Sequence, residues 1–69
     1  MSTSGDLALA PGIQTLVDEL ARRVTELAER YGDTPDSAIA SELFATERAL
    51  ATARRSLDRA SALLDQLPG

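Results

Sequence analysis

The side chains of this chain that could do chemistry are carboxylates and arginines. Asp and Glu together number eleven against seven Arg, with no Lys, His or Cys. Acid–base catalysis needs a polar group whose pKa is moved by burial or by a close charged neighbour. Three acids of the first half instead precede an arginine by four residues: Asp18 with Arg22, Glu19 with Arg23, Glu26 with Arg30. On a helix that spacing makes solvated ion pairs in the better orientation, worth about 0.2–0.5 kcal/mol each. Glu19 and Glu26 share one helical face, but carboxylate metal sites in bundles usually add Glu-x-x-His, and no His exists here. The residues therefore predict no catalytic site, no metal and no cofactor.

The most distinctive charged surface is basic. Arg48, Arg54, Arg55 and Arg59 cluster in the second half, with Glu47 and Asp58 beside them. Planar guanidinium groups in such a row suit an acidic protein or a phosphorylated ligand. Phe44, the only Phe, sits next to this patch and brings a large apolar area to a flank position. These five residues are the candidate partner or ligand patch.

The element that must carry the patch is a helix from Pro35 to Leu67. Its apolar and small positions are Ile39, Leu43, Thr46, Leu50, Ala53, Leu57, Ala60, Leu64 and Leu67. Steps of four and three alternate throughout, the heptad spacing that keeps one stripe against a partner helix. The small row, Thr46, Ala53 and Ala60, predicts close backbone approach. Thr34 suits the N-cap, Pro35 the first helical position, and Asp36 the positive end of the helix dipole. Pro68 and Gly69 end the pattern.

A first helix is predicted over residues 11–31, with a seam of Ile13, Val17, Leu20, Val24, Leu27 and Tyr31 widened by Leu16, Ala21 and Ala28. Gly32 offers a left-handed C′ position. The link 32–34 is too short for anything but an antiparallel neighbour. Residues 1–10 are expected to be flexible, because Pro11 opposes a helix running through it. The fold class is thus all-α: an antiparallel helical hairpin with helices 11–31 and 35–67. The second helix would overhang the first, leaving Leu63, Leu64 and Leu67 to be covered either by Leu7 and Leu9 folding back or by a second chain. Leu57, Ala60, Leu63, Leu64 and Leu67 are the expected dimer contacts, in a homodimeric four-helix bundle.

Composition agrees with a small assembling unit. A chain of 69 residues buries little surface alone, and without Cys or His its support must come from association. A net charge of −4 and two aromatic residues argue against nucleic acid. No run of apolar residues is long enough to span a membrane, and no signal pattern opens the chain, so a cytoplasmic location is expected. All-Arg, Ala-rich usage suggests a GC-rich bacterial genome.

Part of the long helix resembles the E-x3-S-x2-R-x3-Q-x3-D motif of a family of bacterial anti-sigma factors, helical hairpins that bind cyclic di-GMP. Glu47 and Arg54 match; Ala51, Asp58 and Ala62 stand where that motif has Ser, Gln and Asp. Two matches of five do not assign the family. The expected function is a non-enzymatic protein–protein interaction module that dimerises and presents helical surface to another protein. The alternative is a regulator responsive to a nucleotide second messenger held by the Arg patch.

Overall fold

A computed structural model describes residues 3–68. Two helices account for it: α1, Thr3–Glu29, and α2, Ser37–Asp65. They pack against each other as an antiparallel hairpin, a rod of 55 × 15 × 14 Å. Among the described residues there is no strand.

The first helix begins eight residues earlier than the 11–31 reading, and Pro11 lies inside it. The stretch expected to be flexible is helical from Thr3 onward; Met1 and Ser2 lie outside the described residues. Pro11 has no N–H for the Leu7 carbonyl, a local loss. Against it stands the continuing seam: Leu7, Ala10 and Gln14 are half-buried at heptad spacing and extend the contact with α2 by two turns. Packing of an amphipathic face outweighs one missing bond.

That extension removes the overhang. The helices have 27 and 29 residues, or about 40 and 44 Å at 1.5 Å per residue. Leu57, Leu63, Leu64 and Leu67 therefore all have α1 alongside. The end of α2 is a tightened turn, with Gln66 and Leu67 donating to the carbonyls of Leu63 and Leu64 at 3.2 Å.

The connection is also longer than 32–34. It runs from 30 to 36 and is built from i→i+3 bonds: Arg30 N–H to Leu27, Tyr31 to Ala28, Thr34 to Tyr31 and Ser37 to Thr34. Gly32 does not take the left-handed conformation; tight 3₁₀-type bonds end α1 instead. The Thr34 hydroxyl accepts from the Asp36 N–H at 3.2 Å and donates to the Tyr31 carbonyl at 2.8 Å. Thr34 therefore bonds within the turn and is not the N-cap, and Pro35 is not the first helical residue, because the N-cap is Asp36. Regular helix starts only at Ser37, and the Asp36 side chain makes no cap bond.

The helices meet along a different stripe from the one predicted. On α1 the half-buried or buried rows are Leu7, Gln14, Ala21, Ala28 and Ala10, Val17, Val24, the second continued by Tyr31 in the turn. On α2 they are Leu43, Leu50, Leu57, Leu64 and Ala40, Glu47, Arg54, Ser61. Each helix has turned by one row. Ile13, Leu20 and Leu27 leave the seam of α1, and Ile39, Thr46, Ala53, Ala60 and Leu67 leave that of α2; all are exposed. Close packing comes instead from Ala28 and Ala40, the two buried ones among the described residues, 0% and 4% exposed, beside the turn.

The observed seam carries polar pairs between the helices. Turning this way brings Gln14, Asp18 and Thr25 of α1 against Asp58, Arg54 and Glu47 of α2. The alternative would leave these groups facing water and put Thr46, Ala53 and Ala60 between the helices.

Candidate functional site

The hairpin has two unlike flanks. In an antiparallel helix pair, corresponding rows of the two helices fall on the same side of the seam. One flank is the polar ladder. Arg54 Nε donates to Asp18 Oδ1 at 2.9 Å, and its terminal nitrogen bonds Asp58 Oδ1. Gln14 Nε2 donates to the same Asp58 oxygen at 2.9 Å. Further along, the Thr25 hydroxyl donates to Glu47 Oε2 at 2.7 Å, with the Ala21 carbonyl 3.0 Å away. The three pairs keep one register: each residue number on α1 and its mate on α2 sum to 72. Polar groups placed in a seam fix register at some cost in stability.

The ladder redirects the predicted ion pairs. Asp18 turns to Arg54 rather than Arg22, and of the three i,i+4 pairs only Glu19–Arg23 forms, at 2.8 Å. An arginine reaching two carboxylates from a half-buried position gains more than an exposed pair on one helix.

The candidate patch is split by the same geometry. Arg54 is committed inward, its side chain 31% exposed. Arg48, Arg55 and Arg59 remain on the side of α2 away from α1, all exposed. Arg55 and Arg59 donate only to the hydroxyls of Thr52 and Ser56. Among the described residues no carboxylate pairs with any of these three. Phe44 is half-buried at the edge of the polar flank.

The opposite flank is apolar, and the heptad reading did not foresee its extent. α1 contributes the exposed Leu9, Ile13, Leu16, Leu20 and Leu27; α2 contributes Ile39, Leu63 and Leu67. Thr46, Ala53 and Ala60 lie between these larger groups. The Thr46 hydroxyl donates to the Glu42 carbonyl at 2.9 Å and needs no further acceptor. Near the open end of the hairpin the flank dips into a groove of about 290 Å³ lined by Leu9, Ile13, Leu57, Ala60 and Leu64 together with Asp6 and Ser61. Of the expected dimer contacts, Leu57 and Leu64 sit half-buried in the seam, whereas Ala60, Leu63 and Leu67 are open to water.

The amount of open surface is large for the mass. The chain exposes 5058 Å², where a compact monomer of 7.3 kDa exposes about 4,200 Å². The signal that could have located this flank was in the sequence: Leu9 and Leu16 continue the stripe of Ile13 and Leu20 one row further round α1. Among the described residues no three metal-ligating side chains converge, and no helix is long and apolar enough to cross a membrane. No family model, no curated protein and no solved structure matches this chain.

Proposed function

We propose that this chain is a non-catalytic interaction module whose working form is a homodimer, a four-helix bundle, and that the dimer presents its outer helical surface to another protein. The observation that supports the reading is the apolar flank. Eight large aliphatic side chains on a 69-residue chain are 41–66% exposed. Patches on soluble monomers rarely exceed a few hundred Å² unless something covers them. The excess of about 900 Å² over a compact monomer is close to one partner's share of a standard interface, about 800 Å².

The polar flank would then look outward, and with it Arg48, Arg55 and Arg59. Three guanidinium groups without carboxylate partners, on a chain of net charge −4, favour a second protein with an acidic surface. The same row could hold a cyclic dinucleotide, but Arg54, which that reading also needs, is already occupied by Asp18 and Asp58. The two are separated by one pair of assays. Binding of an acidic partner recovered from the native host should be lost in the Arg48→Ala, Arg55→Ala, Arg59→Ala variant while the dimer persists. A thermal upshift with cyclic di-GMP that vanishes in that variant would favour the ligand-responsive regulator instead.

A further inference from the structure

We infer that the apolar flank takes a second copy of this chain in one orientation: the two-fold axis runs along the rod, both turns lie at the same end, and α1 of each copy packs on α2 of the other. The inference rests on the homodimer reading and goes beyond it by fixing the arrangement.

A two-fold axis along the rod involves no shift along it, so the register within one hairpin carries over between copies. Residues whose numbers sum to about 72 then lie at one height. Ile13 meets Ala60 of the second copy, Leu20 meets Ala53, and Leu27 meets Thr46. Each of these three exposed side chains of α1 falls opposite a small exposed residue of α2. That is the interdigitation close helix packing requires. One row further out, Leu9 meets Leu63 of the second copy. At the other end Arg30 meets Glu42 of the second copy, and both are exposed with no ion pair within their own hairpin. The groove between Ile13 and Ala60 faces its own symmetry mate, so Ile13 of each copy arrives at the other's Ala60.

The opposite orientation lacks this fit. With the turns at opposite ends, α1 would lie on α1 and α2 on α2. At any height of that axis the large row Ile13, Leu20 and Leu27 would meet its own copy, while the small row Thr46, Ala53 and Ala60 met its own copy. Leucine against leucine would hold one pair of helices apart and leave a gap between the other.

The chain has no cysteine, so Asp33→Cys in the exposed turn gives a single site for a nitroxide label. Pulsed dipolar spectroscopy on the dimer should place the two labels within about 30 Å, since the bundle is two helices wide at 8–10 Å spacing. A separation of roughly 40 Å or more, a full helix length, at dimeric mass would overturn the orientation while leaving the homodimer standing. Absence of dipolar coupling in a folded protein of monomeric mass would overturn both. The register has its own check: Arg30→Glu and Glu42→Arg should each weaken association several-fold, and the two together in one chain should restore it. Failure of the double variant to recover refutes the pairing of Arg30 with Glu42.

Discussion

Truncating Leu20 isolates the contribution of the apolar flank. Leu20 lies in the middle of α1, 50% exposed, and makes no polar contact. Burying a whole Leu side chain is worth about 1.5–3 kcal/mol, so covering its exposed half in a dimer contributes about 1 kcal/mol. A symmetric interface contains the residue twice, which gives about 2 kcal/mol per dimer. At 1.4 kcal/mol per decade, Leu20→Ala should weaken the dimer about 30-fold. Alanine is the better helix former, so α1 itself should not lose helix. Sedimentation velocity over a concentration series gives the dissociation constant, and circular dichroism on the same samples confirms that the chain stays folded. Thr52→Ala, exposed on the outer side of α2, serves as the control and should leave association unchanged. A Leu20→Ala dissociation constant within twofold of wild type, with helix content intact, would show that this flank is not the interface.

Three further substitutions test the hairpin. Pro11→Ala restores a backbone donor inside α1 and should raise the melting temperature, by up to the equivalent of about 3 kcal/mol; a fall would mean that the helix does not run through residue 11. Arg54→Ala removes the link to Asp18 and Asp58 and should cost about 0.5–1 kcal/mol at low salt, discounted for a side chain one-third exposed. The loss should shrink in high salt, and a salt-independent loss would point to packing of the Arg stem. Ala28→Leu forces a larger group into a position with no exposed surface and should cost about 1–3 kcal/mol, a drop of roughly 4–8 °C per kcal/mol in a thermal melt. An unchanged melt would show that the helices are not in tight contact there.

The hairpin itself was legible in the sequence, because heptad spacing and a short Gly-Asp-Thr link leave few other outcomes. The facing stripe was not. Both helices carry apolar residues on three adjacent rows, so a seam through Ile13 and Leu20 and one through Ala10, Ala21 and Ala28 fit the pattern equally well. The seam the structure takes is accompanied by pairing of Asp18 with Arg54 and of Thr25 with Glu47, across 22 to 36 residues, which has no trace in local periodicity. Pro11 misled for a related reason. Its local cost is certain, but whether Leu7 and Ala10 gain enough against Leu64 to offset it depends on the register of the second helix. The overhang, inferred from that early stop, accordingly does not exist. The apolar surface it was meant to explain lies along the side of the rod instead.

The patch was legible as composition and not as geometry. Four arginines within twelve residues read as one cluster, yet Arg54 points into the ladder and only Arg48, Arg55 and Arg59 face outward. One step of the helical wheel separates a structural arginine from an available one.

The most direct measurement is sedimentation equilibrium of the purified chain at micromolar concentration and moderate salt. A half-covered rod with an aliphatic flank should give a mass twice the 7.3 kDa of one chain. A folded species at the single-chain mass, stable on heating and with no tendency to self-associate, would contradict the account.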